Sequence, residues 1–203
     1  MSAPIDFYFD FSSPYGYLAS HKIDALTAKH GRTVDWRPML LGVVFKQTGA
    51  APLTMVPLKG DYSKRDFQRS ARYHGIEEFR MPSPFPISTQ APARIMLWAK
   101  ARDPALGVRV AKALYRGYFF EGRDISNADT AADVAATAGV DREGARQRRR
   151  SRNEGRVEAR SRRRNCARRI RFAVHFCRRR AVLGTRSPRP DRALARERRI
   201  LTR

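Results

Sequence analysis

The stretch that decides the fold lies near the start of the chain and reads Ile5-Asp6-Phe7-Tyr8-Phe9-Asp10-Phe11-Ser12-Ser13-Pro14. Its aromatic and β-branched first half predicts a short strand over residues 5–9. Ser13 before Pro14 is typical of a helix start, because a serine hydroxyl can cap the helix and proline fits its first position. The stretch therefore predicts a strand that leads directly into a helix.

Outward from this stretch, the chain completes a strand–helix–strand unit. Apolar residues recur at helical spacing from Tyr17 to Leu26, before a stop at His30-Gly31. The run Val34-Asp35-Trp36-Arg37-Pro38 then predicts a second strand, which proline ends. A helical crossover allows the two strands to lie in parallel. We assign residues 1–60 to this unit.

The following part of the chain is predicted to be helical, and we assign residues 61–141 to a helical insertion. Helical periodicity and stop signals predict four helices, over residues 62–74, 93–101, 106–120 and 129–138. The proline-rich stretch 81–92 is predicted to be a loop. No further strand is expected in this part, so the fold class is α/β with one strand–helix–strand unit followed by helices.

Composition excludes several classes of protein. No apolar stretch is long enough to cross a membrane, and the start lacks the basic and apolar segments of a secretory signal, so we expect a cytoplasmic protein. Cys166 and Cys177 are too few for a disulfide scaffold. Histidine and cysteine do not occur at zinc-ligand spacing, so no metal site is expected.

Positive charge is concentrated at the end of the chain. The protein has 42 lysine and arginine residues against 19 acidic residues, a net charge of +23. Residues 142–203, here called the Arg-rich segment, hold 24 arginines and no lysine. Three interpretations are open: a nucleic-acid-binding region, a disordered cationic tail, or the translation of a shifted reading frame.

Four motifs occur in the order found in a known family. They are Phe7-Tyr8-Phe9-Asp10-Phe11-Ser12-Ser13-Pro14-Tyr15-Gly16-Tyr17-Leu18-Ala19, Pro57-Leu58-Lys59-Gly60-Asp61-Tyr62, Phe85-Pro86-Ile87 and Tyr118-Phe119-Phe120-Glu121-Gly122-Arg123-Asp124-Ile125-Ser126. Over roughly residues 4–141 the chain resembles 2-hydroxychromene-2-carboxylate isomerases, relatives of kappa-class glutathione transferases and DsbA-like oxidoreductases. The resemblance implies a thioredoxin-like fold with a helical insertion.

The first motif holds the expected site. In the redox relatives a Cys-Pro-x-Cys motif occupies this helix start, whereas this chain has Ser13-Pro14-Tyr15-Gly16, so dithiol–disulfide exchange is excluded. Taken alone, Ser13 is a helix cap. The resemblance implies that its hydroxyl is also catalytic and holds the thiolate of bound glutathione, favoured by the helix N-terminus. Lys59 is expected either near the glutathione or as a solvated surface charge, and Asp10 is expected to be structural.

The resemblance implies a glutathione-dependent isomerisation of 2-hydroxychromene-2-carboxylate to a benzylidenepyruvate in aromatic catabolism. The thiolate would add to the conjugated system, allow rotation about the resulting single bond, and leave again. Glutathione and a small aromatic substrate are the expected partners, and a homodimer is an open arrangement. A kappa-type transferase and a nucleic-acid-binding protein are the alternatives. Relatives often have Asn-Thr where this chain has Ser88-Thr89, which leaves the aromatic substrate open.

The Arg-rich segment is best explained as off-frame and disordered. An all-arginine composition is typical of GC-rich DNA translated in the wrong frame, since most arginine codons have the form CGN. With the frame advanced by one base and suitable codons, residues 168–174 can be re-read as Gly-Val-Phe-Gly-Ser-Pro-Phe, which resembles the family's segment around its cis-proline. The chain as written would then lack the remaining strands of the sheet, which leaves its activity open.

This interpretation makes a direct prediction about the gene. Sequencing across the codons for residues 142–203 should reveal one missing or added base relative to the frame that encodes residues 1–141. An unbroken and confirmed frame would contradict the interpretation and leave a basic tail or a nucleic-acid-binding segment in its place.

Overall fold

The two predicted strands form a parallel pair. The computed structural model describes residues 3–147. Strand β1 covers Ile5–Phe9 and strand β2 covers Val34–Pro38, with Ile5 opposite Val34 and Phe9 opposite Pro38. Within the described residues these two strands make up the whole sheet. The strand predictions are therefore confirmed at both ends of each strand.

The connection between the strands is two helices rather than the single predicted helix. Helix α1 covers Pro14–Ser20 and helix α2 covers Ile23–Ala28. The Ser20 hydroxyl donates to the Tyr17 carbonyl at 2.6 Å, and the Lys22 N–H donates to the Ala19 carbonyl at 3.0 Å. The backbone bond from Lys22 reaches back three residues instead of four, as in the tightened last turn of a helix.

A helix that the sequence analysis missed follows β2. Helix α3 covers Leu41–Thr48, and a 3-10 turn covers Leu53–Met55. The helix ends at Gly49, whose φ of 67° is left-handed and favours glycine. Residues 39–45 are almost continuously apolar, and such a run fits a buried strand as well as a helix.

The helical insertion contains the four predicted helices with shifted ends. Helix α4 covers Lys59–Tyr73, α5 covers Gln90–Arg102, α6 covers Pro104–Phe119 and α7 covers Ala128–Ala136. Helix α5 begins before Pro92, because a proline in the first turn removes an N–H that has no helical partner. None of the helices within residues 3–147 has the length and apolar character needed to span a membrane.

The first residues of the Arg-rich segment form helix α8, Arg142–Gln147, which packs beside α7 with Ala145 buried. Residues 148–203 lie outside the described residues. The expected disorder of residues 142–203 is therefore wrong for residues 142–147, which form α8. For residues 148–203 it stays a prediction, as does the off-frame interpretation of the segment.

One hydrophobic core joins the sheet to the helical insertion. Phe7 and Phe9 of β1 pack edge-on against Trp36 of β2, with ring centroids 5.0 and 5.4 Å apart. Tyr115 of α6 lies 5.6 Å from Phe9 and is fully buried. Burial of several large aromatic side chains at one place stabilises this junction. The junction fixes the end of β1, where the turn to Ser13 begins.

Candidate active site

A cavity of about 560 Å³ opens beside the turn between β1 and α1. Its walls are formed by residues 12–15 of the turn and α1, residues 40–46 at the start of α3, residues 51–54 after α3, Phe67 of α4, and residues 85–90 before and at the start of α5. Most of the lining side chains are apolar. Its size lies within the range of small-molecule sites, which is about 300–1,000 Å³.

Ser13 lies on the wall of this cavity as the N-cap of α1. Its backbone is extended, and its Oγ accepts a hydrogen bond from the Gly16 N–H at 3.1 Å. A serine hydroxyl has one donor and two acceptor positions, so capping uses an acceptor position and leaves the proton free to be donated. The helix-cap interpretation and the ligand-binding interpretation of Ser13 are therefore compatible.

Asp10 joins three of the segments that line the cavity. Its buried carboxylate accepts hydrogen bonds from the Ser12 N–H at 2.7 Å, the Leu41 N–H at 2.7 Å and the Thr89 hydroxyl at 3.0 Å. Burial raises the pKa of Asp10, while these three hydrogen bonds act in the opposite direction. Asp10 also supplies an acceptor to the start of α3, where the N-cap Leu40 has no polar side chain. The expected structural role of Asp10 is confirmed.

The two lysines at this end of the molecule differ in position. Lys59 is the first residue of α4, is exposed, and is absent from the cavity lining. Lys46, in the last turn of α3, lines the cavity although its side chain also reaches solvent. Among the lining residues that the structure describes, Lys46 is the one with a positive charge. Sequence reasoning missed Lys46 because it missed α3.

Gly42 widens the cavity on the same face of α3. It lies one helical turn before Lys46 and lines the cavity, and a Cβ placed on it would meet nothing within 4 Å. Glycine in a helix is destabilising by roughly 0.5–1 kcal/mol relative to alanine. The space in front of Gly42 therefore accepts a side chain, which gives a way to fill the cavity by substitution.

The described part of the chain contains no set of side chains that could bind a metal ion. Within residues 3–147, no group of three His, Cys, Asp or Glu side chains lies close enough together to hold a metal ion. The site consists of a serine hydroxyl, a lysine and apolar walls beside a buried carboxylate.

The sheet order, the helical insertion and the position of Ser13 define a class of protein. A family model for the DSBA-like thioredoxin domain matches residues 4–171, and the chain belongs to this family. The matched range extends past residue 141, where the resemblance described above ends. The α/β, thioredoxin-like fold class is confirmed.

The individual relatives are named either as kappa glutathione transferases or as 2-hydroxychromene-2-carboxylate isomerases. The chain is 30% identical over 118 residues to glutathione S-transferase kappa 1 of Caenorhabditis elegans, covering 55% of this chain and 51% of the relative. It is 38% identical over 74 residues to 2-hydroxychromene-2-carboxylate isomerase of Pseudomonas putida, covering 36% of each. The chain thus spans about half the length of the curated kappa transferase and about a third of the curated isomerase.

A solved structure supports the same fold. The structure of a 2-hydroxychromene-2-carboxylate isomerase superimposes with a TM-score of 0.67 and 24% sequence identity, covering 78% of this chain and 77% of the other. The likeness establishes the DsbA-like thioredoxin architecture.

Proposed function

We propose that this chain binds glutathione in the cavity beside Ser13 and acts as a glutathione-dependent isomerase of 2-hydroxychromene-2-carboxylate. The observation that carries the proposal is the Ser13 hydroxyl, which keeps its proton available at the wall of a largely apolar cavity. The relatives named as isomerases and kappa transferases support a glutathione site. Cytoplasmic location and a homodimeric assembly belong to the same proposal.

The residues present fit glutathione and an aromatic acid. The apolar wall formed by Val43, Phe45 and Phe67 can bury an aromatic ring, and burial of apolar surface contributes roughly 25 cal/mol per Å². Lys46 can pair with a carboxylate, which both glutathione and the chromene acid carry. When bound, glutathione supplies a thiolate nucleophile. Ser13 would donate to that sulfur and orient it, and Asp10 would hold the turn that carries Ser13.

A kappa-type glutathione transferase is the second candidate, favoured by the longer match to the kappa transferases. Two assays distinguish the candidates: a change in absorbance of 2-hydroxychromene-2-carboxylate with glutathione, and consumption of glutathione with an electrophilic aromatic substrate. Isomerisation without loss of glutathione supports the isomerase, and stoichiometric loss supports the transferase. Absence of both reactions, with no glutathione binding, would contradict the proposal.

Each assay uses two proteins, the 203-residue chain and a matched chain whose gene is corrected by one base after the codon for residue 141. Activity in the corrected chain alone supports the glutathione site and the off-frame interpretation together. Equal activity in both chains supports the site and contradicts the off-frame interpretation. This design separates the two proposals.

We expect Lys46→Gln to weaken binding of the carboxylate ligand about tenfold or more. A hydrogen bond to a charged group contributes roughly 1.5–3 kcal/mol, and 1.4 kcal/mol is tenfold in affinity. Equilibrium binding of glutathione and, separately, of the chromene acid identifies which carboxylate is held. Lys46→Arg keeps the charge and should retain most of the affinity.

Lys59→Gln is the matched variant for this experiment. It removes the same charge from an exposed position outside the cavity lining. Weaker glutathione binding in this variant supports the role of Lys59 that the resemblance implies. Unchanged binding in Lys46→Gln would remove Lys46 from the site.

A further inference from the structure

The turn that carries Ser13 is bonded to helix α6 of the helical insertion through a buried tyrosine hydroxyl. Tyr115 of α6 is fully buried, and its hydroxyl donates to the Asp10 carbonyl at 2.9 Å. The same carbonyl accepts the Ser13 N–H at 2.9 Å. Two donors thus converge on one carbonyl, one from the turn itself and one from a residue 105 positions away.

The Tyr115 hydroxyl also occupies the space beside Gly16, three residues after Ser13. A Cβ placed on Gly16 would collide with the Tyr115 hydroxyl oxygen and would lie 3.2 Å from the Ser13 Cβ. Tyr115 has little room to withdraw, because its ring is packed 5.2 Å from Phe11 and 5.6 Å from Phe9. Position 16 is therefore closed to any side chain while the tyrosine hydroxyl is present.

We propose that Tyr115 is a positioning residue for Ser13. Its hydroxyl also excludes a side chain at position 16, so that Ser13 is the one side chain of the two positions that can contact a bound sulfur. By bonding the Asp10 carbonyl, it fixes the turn from which the Ser13 hydroxyl faces the cavity. By filling the space at Gly16, it prevents a second side chain from standing beside Ser13. The positioning half rests on the proposed function, whereas the closure of position 16 does not.

A double-mutant cycle on the 203-residue chain tests the closure without any ligand. Denaturant unfolding is measured for the parent, Gly16→Ala, Tyr115→Phe and the double variant. Gly16→Ala should lower the unfolding midpoint in the parent and lower it by less than half as much in the Tyr115→Phe background, since the colliding oxygen is gone. Equal losses in both backgrounds would overturn the proposal.

Tyr17→Phe is the control for this cycle. It removes a hydroxyl that donates to the Glu78 carbonyl from an almost fully buried ring on the same helix as Gly16. Its effect should be additive with Gly16→Ala. If Gly16→Ala does not fold, recovery of folded protein on adding Tyr115→Phe, and not on adding Tyr17→Phe, supports the closure. Recovery of folded protein with neither variant, or with both variants, contradicts the closure of position 16.

The positioning role has a separate readout in glutathione turnover. In whichever of the 203-residue and corrected chains is active, Tyr115→Phe should lower kcat about tenfold with a smaller change in KM, because the ring packing is kept and only the turn is loosened. Tyr17→Phe should leave kcat unchanged. An unchanged kcat in Tyr115→Phe overturns the positioning role. Failure of both unsubstituted chains, the 203-residue and the corrected one, to bind glutathione would instead contradict the proposed function. The unfolding cycle would still decide whether Tyr115 closes position 16.

Discussion

Replacing Ser13 with alanine is expected to lower glutathione-dependent turnover about 100- to 1,000-fold, the usual effect of removing one donor aimed at a developing or bound negative charge. The hydroxyl lies on the cavity wall and retains its proton while its oxygen accepts the Gly16 N–H. Alanine removes that donor and changes little else in shape. The measurement is kcat in the isomerisation assay on both the written and the corrected chain.

The loss of the helix cap needs its own control, because Ser13→Ala also removes a cap worth about 0.5–2 kcal/mol of stability. Asn127→Ala is matched for this effect: the Asn127 side chain caps α7 by accepting the Asp129 N–H at 2.8 Å and the Thr130 N–H at 3.3 Å. It lies outside the lining of the Ser13 cavity. A similar fall in turnover in both variants would show that Ser13 acts only through helix stability.

Asp10→Ala is expected to lower the free energy of unfolding by at least about 3 kcal/mol. The substitution leaves three donors, the Ser12 and Leu41 N–H groups and the Thr89 hydroxyl, without their acceptor. A donor left unsatisfied costs about 1–3 kcal/mol when it is buried, and the low end of this range applies to the two N–H groups, which are partly buried. Denaturant unfolding measures the loss, and Thr89→Val, which removes one of the three donors, should cost only about 1 kcal/mol. Equal effects of the two variants would contradict the joining role of Asp10.

The raised pKa of Asp10 gives this prediction a pH dependence. Because the pKa is higher in the folded chain than in the unfolded chain, the folded state binds the proton more readily. The free energy of unfolding of the parent, measured relative to that of Asp10→Asn, should therefore decrease as the pH rises. The decrease should run from the pKa of the unfolded aspartate, about 3.9, toward the raised pKa of the folded state. A difference that rises over this interval would contradict the assignment.

Local patterns in the sequence predicted the strands and most helices. Residues 5–9 and 34–38 each combine β-forming side chains with a clear stop, so both strands could be bounded correctly. The break after Ser20 could not be predicted, because no glycine or proline marks it in the sequence. Helix α3 was missed because a short apolar run has no distinguishing period, and with it the position of Lys46 was missed.

The site was predictable where it is local and unpredictable where it depends on packing. The sequence placed Ser13 at the start of α1 because the serine–proline signal is a property of neighbouring residues. The contact between Tyr115 and the Asp10 carbonyl joins residues 105 positions apart, and no spacing rule relates them. The resemblance directed attention to Lys59, whereas the structure places Lys46 in the cavity lining.

The most direct test of the glutathione site is the pKa of the bound glutathione thiol, followed by ultraviolet absorbance of the thiolate as pH is raised. If Ser13 donates to the sulfur, the pKa of the bound thiol should lie below that of free glutathione, and Ser13→Ala should return it toward the free value. Gly42→Leu, which adds a side chain to the α3 wall of the cavity, should abolish the bound signal while the protein stays folded. A bound thiol with the same pKa in the parent and in Ser13→Ala would contradict the account.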